Sequence, residues 1–342
     1  MNGIDLYDGI TLHQGDCRDI MRTLPADHFD AVITDPPYGI AFHGEKWDTA
    51  TPTGFQAWAQ SWGEEALRVI KPGGYLLAFS ATRTYHRLTS GLEDAGFEIH
   101  DTMAWIRADG KPAGMDLSSA FDRDAGVLDQ REGRVVERWD MSNAATKMSD
   151  YKTNATGKPV TDEAKAWEGW GVGLKPAWEP IVVARKPLEG RLVDNVREYG
   201  TGAMNIRAGM DAVNGAYPPN LLMGEQALAA AVEQGAPDHV WPVFRYQPKA
   251  PTSERPKVGG VQHITVKPLE LMRYLIRLVV RPGALILEPF AGSGTTLQAA
   301  ALENVRAVGC ELDDRYIPLI KERFKHGIEA PLDLFGMGDD AA

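Results

Sequence analysis

Two stretches far apart in the chain hold the residue types that can do chemistry. Thr34-Asp35-Pro36-Pro37-Tyr38-Gly39 follows the apolar run Phe29 to Ile33. Glu288-Pro289-Phe290-Ala291-Gly292-Ser293-Gly294-Thr295-Thr296 follows the apolar run Ala284 to Leu287. A short apolar run that stops at turn-forming residues reads as a buried strand ending at a sheet's rim. Ligands of open α/β sheets bind at that rim, so both stretches are expected to face one cleft. The two prolines fix φ and remove two backbone donors, which leaves a rigid corner whose carbonyls remain acceptors. A carboxylate and a carbonyl can take the two N–H bonds of an exocyclic amine, and the ring of Tyr38 can stack on the base. Alone, the same residues also describe a Pro-Pro turn beside a core tyrosine.

In the second stretch Gly292 and Gly294 permit close backbone approach and unusual φ. The start of the helix that follows suits an anionic group such as a carboxylate. Leu297 stands where a dinucleotide-binding motif would carry glycine. Beyond it, the strand Arg306 to Gly309 ends at Cys310-Glu311. A carboxylate at such a strand tip can accept both hydroxyls of a ribose. The competing reading is an acid in the N-cap region of the helix Arg315 to Phe324.

Asp35-Pro36-Pro37-Tyr38 and Phe290-Ala291-Gly292-Ser293-Gly294-Thr295-Thr296, in that order, resemble the amino-group DNA methyltransferases. That family moves methyl from S-adenosylmethionine to adenine N6 or cytosine N4. Catalytic motif first and cofactor loop last is the permuted order of its beta group. Asp rather than Ser at position 35 is similar to the adenine-N6 members. The resemblance implies a catalytic corner of Asp35, Pro36, Pro37 and Tyr38. It implies cofactor contacts from Asp16, Cys17, Thr265, Lys267, the loop Phe290, Ala291, Gly292, Ser293, Gly294, Thr295 and Thr296, and Glu311. Asp16 is also readable as a helix N-cap. Two departures stand out: Ile264 replaces the family's usual proline, and Glu288 its frequent aspartate.

The elements that must position these groups are legible in order. Ile10 to His13 reads as a strand and Arg18 to Leu24 as a helix. Phe55 to Ile70 has helical spacing through Trp58, Trp62, Ala66 and Val69, and Lys71-Pro72-Gly73-Gly74 stops it. Tyr75 to Phe79 is a buried parallel strand, followed by helix Thr84 to Ala95 and strand Phe97 to Ile106. From Arg107 periodicity fades. Within Ala108 to Lys175 only Ser118 to Ala125 and Thr161 to Trp167 read as short helices. Trp167-Glu168-Gly169-Trp170-Gly171 can order against DNA or against a core. Strand Ile181 to Ala184 follows. Pro268 suits the first turn of a helix carrying Leu271, Leu275, Leu278 and Val279.

Gly202 to Ile206, Tyr217 to Leu222 and Tyr246 to Ala250 resemble a phage and prophage subgroup of the family. Asn205, Arg207, Asn220, Arg245, Lys249 and Arg255 are candidate DNA-facing side chains, since Asn and Arg read base edges and Lys holds phosphate. For each one singly, a surface or capping role is the alternative.

The expected fold is α/β: a mostly parallel, seven-stranded Rossmann-like sheet with helices on both faces, permuted motif order and an inserted recognition region. Its parts are 1–107, the catalytic half; 108–175, an irregular insert; 176–187, a core strand; 188–262, the target-recognition region; 263–325, the cofactor half; and 326–342, a loose tail. Hydrophobic content of 44% and charged content of 24% are ordinary for a globular protein, and no 18-residue apolar run marks a membrane span. The net charge of −11 is uneven. Ile181 to Arg281 carries 13 basic and 9 acidic residues, so phosphate contacts belong there. Two cysteines make no disulfide framework, and Met1 to Asp8 lacks a basic signal region, so a cytoplasmic enzyme without metal is expected.

The resulting expectation is a site-specific enzyme that methylates adenine N6 of a flipped base in double-stranded DNA, with S-adenosylmethionine as donor. Phenylalanine would serve in place of Tyr38 if stacking is its only task. Cytosine-N4 transfer, methylation of protein or RNA amides, and a silent DNA-binding relative are the alternatives. The resemblance also allows a homodimer and a cognate restriction endonuclease.

Overall fold

A computed structural model describes residues 3–40, 51–106, 115–133, 157–174, 177–209, 219–223, 233, 250, 254–263 and 265–325. The chain forms two compact units, Met1–Asp109 with Trp178–Ala342, and Gly110–Ala177.

In the first unit the elements run β1 (Ile4–Tyr7), β2 (Ile10–Gln14), α1 (Cys17–Thr23), β3 (Phe29–Thr34), α2 (Pro52–Val69), β4 (Ile70–Phe79), α3 (Tyr85–Asp94) and β5 (Glu98–Ile106). The second unit contributes α4 (Leu117–Asp124) and α5 (Asp162–Ala166). The first unit resumes with β6 (Trp178–Arg185), α6 (Leu192–Tyr199), β7 (Leu221–Met223), β8 (Lys257–Val258) and β9 (Val261–Gln262). It continues with α7 (Leu269–Val279), β10 (Leu285–Glu288), α8 (Thr295–Leu302), β11 (Arg306–Glu311) and α9 (Ile317–Lys325).

Nine of the strands form one sheet in the order β1-β2-β11-β10-β3-β4-β6-β5-β7. From β2 to β4 all neighbours are parallel, and β6 runs antiparallel to both β4 and β5. The seven expected strands are its centre. The structure adds β1, antiparallel to β2, and the short β7, parallel to β5, at the two edges.

Residue alternation explains why helices cover both faces. Ala31, Ile33, Tyr75, Leu77 and Phe79 point into one apolar cluster with Leu271, Leu275, Leu297 and Ile320. Their neighbours Val32, Leu76 and Ala78 point into another with Ile20, Phe55, Trp62 and Leu88. A parallel strand covered on both sides needs this near-continuous apolar run. Helix α2 is capped by Thr51, whose hydroxyl accepts from the Gly54 N–H at 3.1 Å. Pro52 lies in its first turn. Trp62 is wholly buried, so this tryptophan is core.

The second unit has a polar centre. Asp122 accepts from the backbone N–H groups of Val160 and Thr161 and from Arg131 Nε at 2.6 Å. Burial pushes this carboxyl up, but the Thr161 and Val160 hydrogen bonds, with those of the Thr161 hydroxyl and Arg131, outweigh it and hold it at about 2. Trp167 and Trp170 meet edge to face at 5.5 Å, and Trp170 is exposed.

Candidate active site

Strand register brings the two motifs together. Ile286 pairs with Ala31 and Leu287 with Val32, so the chain leaves β10 and β3 at the same rim. Glu288 pairs with Gly309, which places Glu311 at the tip of the next strand. Glu311 in turn pairs with Gln14, and the Gly15 N–H donates to the Glu311 carbonyl at 2.8 Å. Thus Gly15-Asp16, Glu311, the Phe290–Thr296 loop and the Asp35 corner line one edge of the sheet.

At the Asp35 corner the side chains form a closed cluster. Tyr38 Oη donates to Asp35 Oδ1 at 2.7 Å, and Lys267 Nζ donates to Asp35 Oδ2 at 2.5 Å. Lys267 also reaches Tyr38 Oη at 3.0 Å and lies 3.5 Å from Glu179 Oε2, which itself accepts from Tyr38 Oη at 3.2 Å. The ammonium sits 4.8 Å from the centre of the Phe79 ring, a cation–π contact on its remaining side. Lys267 is only 8% exposed. Burial, with the Asp35 and Glu179 carboxylates, pushes the Tyr38 phenol well above its ordinary value, so it stays a donor. Pro36 is buried.

The cofactor loop is held from beneath and from both flanks. Glu288 accepts from the Thr34 and Thr296 hydroxyls and from the Phe290 N–H at 3.0 Å. Its complete burial pushes the carboxyl up to about 8. Phe290 packs its ring against Trp58 and Trp62 at 5.6 and 5.5 Å. Arg323 of α9 donates to the Ser293 carbonyl at 2.5 Å and to the Thr295 hydroxyl at 3.0 Å. It also donates to Gln298 at 2.8 Å and to the Glu254 carbonyl at 2.7 Å. Burial lowers this guanidinium to about 10, still charged at neutral pH.

Gly292 and Gly294 have φ of +52° and +81°. A Cβ on Gly292 would come within 3.0 Å of His263 Nε2, and one on Gly294 within 3.0 Å of Ile320. Both are therefore required by conformation and by space. His263 Nδ1 donates to the Thr265 carbonyl at 2.5 Å, and its ring meets Tyr316 edge to face at 4.5 Å. Burial lowers its pKa, which keeps the imidazole neutral over the loop.

Glu311 Oε2 accepts from the Gly292 N–H at 2.7 Å and Oε1 from the Asp313 N–H at 2.8 Å. Each carboxylate oxygen retains lone-pair capacity. Burial pushes the group up to about 7. The site therefore offers what an adenosylated amino acid requires: a carboxylate for a ribose diol and a bare backbone loop at the start of α8. Glu311 and the loop together would hold S-adenosylmethionine, with Gly15-Asp16 adjoining.

Other expected site residues fall in simpler places. Asp16 caps α1 by accepting from the Arg18 N–H at 2.9 Å, and it pairs with the Arg18 guanidinium at 2.6 Å. Cys17 is buried and its thiol is pushed up to about 12, so it is no nucleophile. Thr265 is half-buried beside His263. Lys267, expected at the cofactor's methionine end, directs its ammonium to Asp35. Of the DNA-facing candidates, Asn205 and Arg207 are exposed. Asn220 donates to Asp101 at 3.1 Å, and Arg255 donates to the Ala250 carbonyl at 3.0 Å. Arg245 and Lys249 lie outside the described residues, as do Ile264, most of the loop after Gly39 and the 326–342 tail.

Sequence patterns do not single out Glu179, Arg323, Glu254 or His263. Glu179 is the second residue of the antiparallel β6, whose start, not its end, lies at this rim, since Ile181 pairs with Phe79. Among the described residues no His, Cys, Asp and Glu group could hold a metal ion, and no helix is long and apolar enough to cross a membrane.

A sheet of this order, with a glycine loop and an acid on adjacent strand tips, is a Rossmann-like α/β fold. Residues 29–322 match the N6_N4_Mtase family, described as DNA methylase, and the chain belongs to that family. It is 28% identical over 313 residues to the type II methyltransferase M.HindIII of Haemophilus influenzae, covering 90% of this chain and 81% of the relative. It is 30% identical over 240 residues to the putative methylase YubD of Escherichia coli, covering 67% and 95%. The solved PvuII DNA methyltransferase, described as cytosine-N4-specific, shares the fold. Its TM-score is 0.51 at 15% identity, over 92% of this chain and 90% of that one. The family's methyl donor is S-adenosylmethionine and its substrate is DNA.

Proposed function

We propose that the chain methylates adenine N6 in double-stranded DNA, at a base flipped out of the helix. The observation that carries this reading is the Asp35 carboxylate at the rim, held between Tyr38 and Lys267 within a proline corner. An amine inside a base stack cannot reach a methyl donor in a cleft, so the base must leave the duplex. Asp35 and the Pro36 carbonyl accept the two amine hydrogens. This turns the nitrogen lone pair toward the donor, and the Tyr38 ring supports the base face. Bound S-adenosylmethionine would supply the methyl group and leave as the thioether, and the amine would lose one proton to solvent. The protein's part is orientation and fixed polarity.

Aspartate at position 35 favours adenine over cytosine by resemblance to the N6 members. Residues 188–262 are the proposed recognition region, with Asn205, Arg207, Asn220 and Arg255 its DNA-facing candidates among the described residues. The enzyme is proposed to be cytoplasmic. A homodimer and a paired restriction endonuclease are further proposals that rest on family resemblance.

The test is transfer of labelled methyl to unmethylated DNA, with mass analysis of the digested nucleosides. N6-methyladenine is expected. N4-methylcytosine would keep the mechanism and reassign the base. No modified base with cofactor bound would leave a silent binder.

A further inference from the structure

The Asp35 cluster holds a second carboxylate, Glu179, that the transfer scheme above does not use. Asp35, Glu179 and Lys267 are the described charged side chains joined in it, two carboxylates around one ammonium. Glu179 is 16% exposed and Lys267 8%, so solvent screens this cluster weakly.

The geometry also gives Glu179 a way to free Asp35. Asp35 spends one oxygen on Tyr38 Oη and the other on Lys267. Glu179 Oε2 stands 3.2 Å from that same hydroxyl and 3.5 Å from that same ammonium. Small side-chain shifts move both donors toward Glu179 and leave Asp35 to the incoming amine. A lone carboxylate could not release Lys267 without burying an unpaired ammonium, which is costly.

We infer that Glu179 is a positioning residue for methyl transfer: it receives Lys267 and the Tyr38 hydroxyl as Asp35 engages the amine. This rests on the reading that Asp35 receives the base.

The test measures single-turnover methyl transfer at saturating DNA and S-adenosylmethionine, with cofactor affinity by calorimetry. Glu179→Gln is expected to slow transfer about ten- to a hundredfold while cofactor affinity stays within about twofold. Glu179→Asp should restore most of the rate. A Glu179→Gln rate equal to the unaltered chain would overturn the inference. So would a parallel loss of cofactor affinity, which marks a structural role, or a Glu179→Asp variant as slow as Glu179→Gln. If the unaltered chain transfers no methyl to DNA, the underlying reading fails first.

Discussion

The Lys267 ammonium lies 2.5 Å from Asp35 Oδ2 across 232 residues of sequence. The contact joins the corner after β3 to the entry of α7, the first helix of the cofactor half. The carboxylate proposed to take the amine therefore has a cation at its back.

Asp35→Ala is expected to abolish methyl transfer and leave cofactor binding intact, because Glu311 and the glycine loop do not depend on it. Labelled-methyl assays and calorimetry on the same preparation separate the two. Tyr38→Phe keeps the ring but removes a hydroxyl bonded to Asp35, Glu179 and Lys267 among the described residues. Its transfer rate should fall about tenfold, short of the loss from Tyr38→Ala. A Phe variant with the normal rate would return Tyr38 to a pure stacking role.

Cofactor affinity should depend on pH through Glu311. Burial pushes its carboxyl up to about 7, and only the ionised form accepts from both ribose hydroxyls. Affinity for S-adenosylmethionine should therefore weaken as pH falls below 7. Glu311→Ala should bind about ten- to a hundredfold more weakly and lose that dependence. Titrations at pH 6 and pH 8 decide it.

Arg323 braces the cofactor loop through Ser293, Thr295 and Gln298. Arg323→Ala strands several buried acceptors at once and should cost at least about 2 kcal/mol of stability. Arg323→Lys, with a single point donor, should recover only part. Thermal melts with and without S-adenosylmethionine should show both a lower midpoint and a smaller cofactor-induced shift.

Glu288 sets a pH window for stability. Its carboxyl moves from an ordinary 4.5 to about 8 on burial. Between those values the folded chain holds a proton that the unfolded chain has lost, so stability falls as pH rises through the window. Glu288→Gln should flatten that fall in melts taken from pH 5 to pH 8.5. A smaller slope of the same sign, from Glu311, should persist below pH 7.

Of the central seven strands, β3, β4, β6 and β10 were legible as apolar runs ended by turn residues, and the others by their place between helices. The two edge strands were not. In β1, Ile4 and Leu6 alternate with Asp5 and the exposed Tyr7, and β7 is only three residues long. The Asp35 corner and the glycine loop carry local signatures, so they could be read directly. Glu179, Arg323 and Glu254 could not. Glu179 matters because β6 runs against its neighbours. Arg323 matters because α9 folds back under the loop. Glu254 caps α7 by accepting from the Leu269 N–H at 2.9 Å, from fifteen residues upstream. Strand direction and helix docking leave no mark in a local pattern. The expected helices Ser118 to Ala125 and Thr161 to Trp167 lie at α4 and α5, where each begins at a side-chain cap, Asp116 and Thr161.

The sheet order has a consequence for synthesis on the ribosome. Strands β10 and β11 are among the last elements made, yet they sit between β2 and β3, which are among the first. Until they emerge, the nascent chain holds β2 and β3 with open hydrogen-bonding edges toward a gap. Such edges invite pairing with other chains. A product truncated before Leu285 would keep its target corner but lack the wedge that closes the sheet. It should be a ready client of chaperones and proteases.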